Sequence, residues 1–135
     1  MRTAFWVLIA VAAILLGFIY LKTLPPPNGM YDAFAKCVAH TSTTFYGAFW
    51  CPHCAEQKNE FGDAARYLPY EECSLPNASG ETPACIAAGI KEYPTWAFPG
   101  GVRAAGVQAL QTISEKTGCA LPSSSSRGQW FRIFP

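Results

Sequence analysis

The sequence has few charged residues, and its 10 lysines and arginines nearly balance its 9 acidic residues. No basic stripe is present that could meet a phosphate backbone, so nothing indicates a nucleic-acid partner. A second C-x-x-C unit is also absent, because Cys73 and Cys85 have 11 residues between them. Structural zinc sites commonly take their four ligands from two such units, and we therefore expect no metal.

No acidic residue precedes Asp32, and the 17 residues from Phe5 to Leu21 include neither a charge nor a proline. A helix that is apolar on every side is typical of a membrane span. A signal peptide is the alternative, but no A-x-A-like cleavage site follows the stretch. We therefore predict a single transmembrane signal-anchor over residues 1–22 and a proline-rich linker over residues 23–30.

Six cysteines follow the linker, and this density suits an oxidising compartment. The few basic residues that flank the predicted anchor barely orient it by the positive-inside rule. The cysteines therefore decide the expected sidedness. We expect a cytoplasmic N-terminus and a folded domain on the extracytoplasmic side of the membrane.

Helix and strand patterns alternate between the linker and a low-complexity tail over residues 122–135. Gly62 is expected to bend or break one of the helices, and the Pro-Gly-Gly sequence after Phe98 predicts a hairpin. The order predicts an α/β domain over residues 31–121, with about four strands and helices on the faces of the sheet. The predicted helices are Tyr31–His40, Pro52–Tyr67, Thr82–Gly89 and Val107–Gly118, and the predicted strands are Thr43–Phe49, Tyr70–Cys73, Thr95–Phe98 and Val102–Ala105.

In the segment FYGAFWCPHC, a predicted strand is followed by two cysteines, Cys51 and Cys54. Cys51 is expected where the strand gives way to a helix, and there unpaired N–H groups and the helix dipole favour its thiolate. Cys54 lies one helical turn later and could close a disulfide with Cys51 or attack a mixed disulfide formed there. A structural bridge over so short a loop would restrain little of the unfolded chain. The spacing therefore favours a redox-active pair.

The residues beside the two cysteines are expected to tune the pair. A protonated His53 would stabilise the thiolate further, and Pro52 suits the first turn of the helix. A stabilised thiolate stabilises the reduced form, so the disulfide form should be a strong oxidant. We assign this tuning role to Trp50, Pro52 and His53.

A second motif, GIKEYPTW, places Pro94 directly before a predicted strand, which suits a cis X-Pro bond in a tight turn. With the C-P-H-C motif, this sequence resembles the thioredoxin superfamily. More closely, FYGAFWCPHCAEQKNEFGDAARYLPYEECS, AGIKEYPTW and GVQAL resemble the thioredoxin-like domain that is fused to bacterial homologues of vitamin K epoxide reductase. The resemblance covers roughly Ala33 to Gly118 and implies a thioredoxin-like fold.

By this resemblance, Cys51 is the solvent-accessible nucleophile and Cys54 the resolving thiol, and the redox-active disulfide is the only redox group needed. Pro94 would be the cis-proline beside the disulfide, in a substrate-binding loop formed by Tyr93, Pro94 and Thr95. The fused four-helix oxidase domain is missing from this chain. Any quinone-linked partner must therefore be a separate membrane oxidase.

One position departs from the pattern of many thioredoxins, which carry a buried acid six residues before the first cysteine. That position is Phe45 here. Glu56 and Glu60 lie on the predicted active-site helix, but charges on an exposed helix are usually only solvated. The sequence names no replacement for the acid that moves protons to and from Cys54.

The other four cysteines differ in what they indicate. Cys73 and Cys85 flank a loop of turn residues that a bridge between them would tether, and the resemblance supports this structural disulfide. Cys37 and Cys119 could also pair, but the first and last helices usually cover opposite faces of such a sheet. Either is otherwise a buried free thiol or a thiol that contacts the partner.

These observations predict a membrane-anchored thiol–disulfide oxidoreductase. It would oxidise cysteines of exported client proteins and be reoxidised by a separate vitamin K epoxide reductase-like membrane oxidase. One alternative within the same class is a membrane-anchored, thioredoxin-like disulfide reductant. An alternative from another class is a metal carrier or assembly module that uses the fold without turnover.

Overall fold

The structure, a computed structural model, describes residues 2–23 and 29–123. Short 3-10 turns cover Gly62–Tyr67, Pro76–Ala78 and Pro99–Gly101. The helices are α1 (Arg2–Thr23), α2 (Asp32–His40), α3 (Pro52–Phe61), α4 (Pro83–Ala87) and α5 (Leu110–Thr117), and the strands are β1 (Thr44–Gly47), β2 (Tyr70–Glu72), β3 (Thr95–Ala97) and β4 (Arg103–Ala105).

The four strands form one mixed sheet in the order β2-β1-β3-β4. Strand β1 runs parallel to β2 and antiparallel to β3, and β3 and β4 form the hairpin predicted around Pro-Gly-Gly. Phe45 lies opposite Tyr70 on one side and Trp96 on the other, so the aromatic run before the cysteines is the centre of the sheet. This sheet with its flanking helices fits the predicted α/β thioredoxin-like fold.

Glycines end two helices where the sequence places them. Gly62 has φ 56° and ends α3 at Phe61, so the predicted helix to Tyr67 is too long and its last part is a 3-10 turn. Gly118 has φ 74° and ends α5. A side chain is strained in this left-handed region, which glycine enters freely.

One face of the sheet carries the larger core, in which α2, α3 and α5 pack over aromatic rings. Phe45 stacks on Trp96 with ring centroids 4.6 Å apart. Cys37, in α2, and Cys119, just after α5, form a disulfide. The expectation that the first and last helices cover opposite faces is therefore wrong, because both contribute to this core.

The opposite face carries a smaller core, formed by Cys73, Cys85 and Ile90 with Tyr46 and Tyr93 packed against them. Phe45 and Tyr46 point into different cores because successive side chains of a strand alternate between faces. Cys73 and Cys85 form the second disulfide, which is the pairing that the resemblance implies. It ties the end of β2 to α4.

The apolar N-terminal segment is helical over Arg2–Thr23. However, no helix in the described ranges is both long and apolar enough to cross a bilayer. The described residues therefore do not support the predicted transmembrane signal-anchor over residues 1–22. The predicted linker and tail fall mostly outside the described residues, at residues 24–28 and 124–135.

Candidate active site

Cys51 is the N-cap residue of α3, at the junction that the sequence predicts. Its sulfur accepts a hydrogen bond from the backbone N–H of Cys54 at 3.4 Å. Pro52 occupies the first turn of the helix, where its missing N–H leaves no hydrogen bond unmade. The sulfur therefore lies against the free N–H groups of a helix N-terminus, which favour negative charge.

The thiol of Cys51 is more enclosed than the resemblance implies. Its residue is only 5% exposed rather than solvent-accessible. The cause is the loop before β3, whose Tyr93 carbonyl accepts a hydrogen bond from the Cys51 thiol at 3.6 Å. The Tyr93–Pro94 peptide bond is cis, as predicted, and Pro94 is fully buried. Both Cys51 and Cys54 are free thiols in this structure.

Cys54 lies deeper than Cys51 and is 1% exposed. Burial, followed by its hydrogen bond with Cys51, raises the pKa of the Cys54 thiol to about 12. The thiol therefore keeps its proton at neutral pH. Both cysteines belong to the larger core, and Cys54 is the more deeply buried of the two.

Gly47 provides the space beside the Cys54 sulfur. A methyl group at this position would lie 3.0 Å from the Cys54 sulfur, 2.8 Å from a ring carbon of Tyr70 and 3.3 Å from the Tyr70 hydroxyl oxygen. Contacts this short are not tolerated, so a glycine is needed at the end of β1. The sulfur and the tyrosine hydroxyl therefore border the same small space.

Tyr70 continues from this space to a carboxylate. Its hydroxyl donates a hydrogen bond to Glu72 Oε2 at 2.8 Å. Glu72 Oε1 accepts hydrogen bonds from the backbone N–H groups of Phe49, at 3.2 Å, and Ser74, at 2.9 Å. Burial, followed by the bond to Glu72, raises the pKa of Tyr70 above its usual range. The phenol therefore remains protonated, and the carboxylate is fixed in position.

The acids that the sequence singles out on α3 have other partners. Glu56 lies 3.3 Å from His53 Nδ1 on the exposed surface of the helix. Glu60 accepts a hydrogen bond from the amide of Gln57 at 3.1 Å, and burial raises its pKa. The described hydrogen bond of His53 is thus made to Glu56 and not to the Cys51 sulfur.

Gln57 connects α3 to the sheet and to the segment before α5. It is fully buried, and its Oε1 accepts hydrogen bonds from Trp96 Nε1, at 3.1 Å, and from the Gln108 N–H, at 2.6 Å. Its Nε2 donates to the Gln108 carbonyl at 3.0 Å. This network holds α3, and with it the two cysteines, in a fixed position.

A cavity of about 250 Å³ is bordered by Trp50, which precedes Cys51 in the chain, and by Tyr93, whose carbonyl accepts the bond from Cys51. Trp50 donates a hydrogen bond from its indole to Ser74 Oγ at 2.9 Å and packs edge-on against Tyr93, with ring centroids 6.0 Å apart. The Tyr93 hydroxyl donates to Glu81 at 2.5 Å, and burial with this bond raises the pKa of Tyr93 to about 12. The lining residues are Trp50, Ser74, Ala78, Gly80, Glu81 and Tyr93.

The structure thus brings the two cysteines, Trp50, Pro52 and the loop from Tyr93 to Thr95 into one site, while His53 lies at its outer edge. Thr95 is turned inward, where its hydroxyl donates to the Glu92 carbonyl at 2.7 Å. No group of three or more metal-ligating side chains occurs within the described part of the chain.

Sequence reasoning missed Gly47, Tyr70 and Glu72. A signal for the last two was present, because residues two apart on a strand share a face. Tyr70 and Glu72 were both in the predicted second strand. The missing information was which strand lies next to the one that precedes Cys51.

No family model matches the chain. The chain is 37% identical over 101 residues to the thiol-disulfide oxidoreductase LTO1 of Arabidopsis thaliana. The matched region is 72% of this chain but only 27% of that protein. Together with the mixed four-stranded sheet, this similarity supports membership of the thioredoxin superfamily.

Proposed function

We propose that the protein is a thiol–disulfide oxidoreductase that works through Cys51 and Cys54. The observation that carries this proposal is the pair of free thiols at the start of α3, with Cys51 capping the helix and Cys54 buried behind it. The name of the Arabidopsis relative assigns that activity to the relative.

The reaction is a two-electron exchange between disulfides and thiols. In the oxidising direction, a client thiolate attacks the Cys51 sulfur of the Cys51–Cys54 disulfide, and Cys54 leaves and takes up a proton. A second client thiolate then attacks the client sulfur that is bound to Cys51. Cys51 leaves as a thiolate, so the client gains a disulfide and the protein holds two thiols.

The client would lie along the surface between Trp50 and Tyr93. Phe49 and Trp50 are 61% and 52% exposed beside the cysteines, and exposed aromatic side chains are common at interaction sites. The cavity next to Cys51 could hold a side chain that neighbours the client cysteine. An extended, unfolded client segment fits this open surface better than a folded one.

We further propose that the protein acts as an oxidant of exported proteins. Four of its six cysteines form disulfides, which suits an oxidising compartment. A separate vitamin K epoxide reductase-like membrane oxidase would reoxidise it, as the sequence resemblance implies. We also propose that residues 1–22 attach the protein to the membrane, with the domain on the extracytoplasmic side. Only the sequence supports this part of the proposal.

The catalytic assignment is tested with Cys51→Ser and Cys54→Ser. Cys51→Ser should abolish oxidation of a reduced dithiol peptide, because the Cys51–Cys54 disulfide can no longer form. Incubated with the oxidised form of the same peptide, Cys54→Ser should instead accumulate a mixed disulfide, because Cys51 attacks the peptide disulfide and no Cys54 thiol resolves the new bond; mass spectrometry of the intact protein detects it. Oxidation by Cys51→Ser at the wild-type rate would refute the assignment.

The direction of electron flow is tested by the reduction potential of the Cys51–Cys54 pair, measured by equilibration with glutathione. A value above about −200 mV supports the oxidant, and a value near −270 mV supports the reductant. Cys54→Ser is the control for oxidation at other cysteines, since it cannot close the active-site disulfide.

A further inference from the structure

Cys54 has a proton-transfer problem that the sequence leaves unsolved. As the resolving thiol it must lose its proton to attack a mixed disulfide, and as a leaving group it must regain one. It is 1% exposed, so bulk water does not reach it readily. The position of the usual buried acid holds Phe45, whose ring stacks on Trp96 instead.

The structure offers one polar route away from this thiol. The Cys54 sulfur and the Tyr70 hydroxyl border the space kept free by Gly47, and they lie 3.0 and 3.3 Å from the point that a methyl group on Gly47 would occupy. The hydroxyl is hydrogen-bonded to Glu72 at 2.8 Å. Glu72 is only partly buried, so its carboxylate can exchange protons with solvent.

We propose that Tyr70 and Glu72 form a proton relay that takes the proton from Cys54 when it attacks and returns it when Cys54 leaves. This inference rests on the proposed thiol–disulfide exchange at Cys51 and Cys54. It assigns to β2 the role that a buried acid on the central strand has in many thioredoxins. Glu72 is the base, and Tyr70 conducts the proton between Glu72 and the sulfur.

The step balances without any further reactant. When Cys54 attacks, its S–H bond breaks and the proton forms a new O–H bond on Tyr70, while the original Tyr70 proton passes to Glu72. The Cys54 sulfur bonds to the Cys51 sulfur, and the client departs with the electron pair of the broken S–S bond. Glu72 then releases the proton to solvent. The reverse transfers protonate Cys54 when a client opens the disulfide.

A tyrosine suits the conducting position because burial and the bond to Glu72 raise its pKa. Because of this raised pKa, Tyr70 does not persist as a phenolate, which would repel the Cys54 thiolate. Tyr70 therefore gives its own proton to Glu72 only as it receives the proton of Cys54. Lys58 of α3 lies over the Tyr70 ring, 3.4 Å from its centroid, and its charge lowers the pKa of Cys54. Cys51 and Lys58 are the ionisable groups that act on Cys54, and Glu72 and both cysteines act on Tyr70. On the cavity side, Glu72 and Cys54 also raise the pKa of Tyr93, after burial and its partner Glu81.

The test uses the full-length reduced protein and an aromatic disulfide reagent that releases a coloured thiolate. Stopped-flow absorbance should show two phases, first as Cys51 attacks the reagent and then as Cys54 resolves the mixed disulfide. Tyr70→Phe and Glu72→Gln should slow the second phase by about 100-fold near neutral pH, the low end of general acid–base effects. The first phase should stay within about twofold of the wild-type rate.

The pH profile separates a relay from a structural role. Above about pH 10, hydroxide can take the Cys54 proton directly, so the deficit of both variants should shrink as the pH rises. Glu71→Gln, an exposed acid on the same strand, and Tyr46→Phe, a tyrosine on the opposite face of the adjacent strand, are the matched controls. Both should keep the wild-type second phase.

The outcomes distinguish this inference from the proposed function. Loss of the first phase in the wild-type protein would overturn the proposed function itself. A normal first phase with an unchanged second phase in Tyr70→Phe and Glu72→Gln would overturn the relay alone. A slowing that is the same at every pH, or that Glu71→Gln and Tyr46→Phe share, would assign a structural role to these residues and also overturn the relay.

Discussion

One face of the sheet is covered by α2, α3 and α5 over a continuous aromatic core, whereas the other carries the short α4 and the loop after β2. The first face holds Cys54, Gly47 and Tyr70. The second holds the cavity between Trp50 and Glu81. Cys51 lies at the boundary between the two.

Each face has one disulfide, but the two faces differ in how much apolar packing accompanies it. Stacked rings such as Phe45 and Trp96 fill the first face, and burial of large aromatic side chains contributes strongly to stability. The second core has few apolar side chains, and the Cys73–Cys85 disulfide holds its loop in place. The proposed proton relay thus lies on the face with the larger aromatic core, and the proposed client-binding surface lies on the face with the smaller core.

Removal of the Cys37–Cys119 disulfide should have the largest effect on global stability. The bridge joins residues 82 apart, and the chain-entropy model gives about 4.5 kcal/mol for such a loop. We expect the Cys37→Ala/Cys119→Ala variant to lose about this much free energy of unfolding in urea. Its Cys51 attack rate should remain near that of the wild type, because the hydrogen bonds described for the Cys51 sulfur are made to Tyr93 and Cys54 and not to the bridge. A larger loss from the shorter bridge would contradict the comparison.

Removal of the Cys73–Cys85 disulfide should destabilise the protein less but disturb client binding more. The bridge joins residues 12 apart, and the same model gives about 3 kcal/mol. Because the tethered loop supplies Ser74 and Glu81 to the cavity, we expect Cys73→Ala/Cys85→Ala to raise KM for a dithiol peptide severalfold. The comparison with Cys37→Ala/Cys119→Ala is decisive: equal KM values in the two variants would show that the loop does not bind the client.

The order of the elements could be predicted from the sequence because each rests on a local pattern. The aromatic run before Cys51, the proline at the start of α3 and Gly62 at its end act within a few residues. The cis Tyr93–Pro94 bond also agrees with the prediction from its motif. In contrast, the Cys37–Cys119 bridge depends on which face each helix covers, and local patterns do not carry that information.

The chemistry of the site likewise has one part that neighbouring residues determine and one part that they do not. The role proposed for Cys51 belongs to the first part, because it follows from the strand that ends just before this residue. The enclosure of its thiol by the Tyr93 carbonyl and the approach of Tyr70 to Cys54 join residues that are distant in the chain. They depend on the strand order β2-β1-β3, whereas the local patterns predicted an α/β sheet of about four strands without giving their order.

The smallest expected effect concerns pH and tests whether packing on the first face keeps Cys54 protonated. The pKa of Cys54 is about 12 in the folded protein and about 8.5 in an unfolded chain. Below pH 8.5 both states are protonated, so the contribution to stability is fully present. As the pH rises toward 12 only the unfolded chain releases the proton, and the contribution is lost.

Cys51→Ala retains the Cys54 thiol, and Cys51→Ala/Cys54→Ala does not. Tyr70 and Tyr93 also have raised pKa values, but the main causes, burial and the bonds to Glu72 and Glu81, are present in both variants and cancel in the comparison. We expect the unfolding free energy of Cys51→Ala to fall more steeply between pH 9 and 11 than that of the double variant, measured by urea titration. Burial is the largest cause of the raised pKa and persists without Cys51. Parallel profiles would mean that Cys54 is more accessible to water than its place in the aromatic core allows.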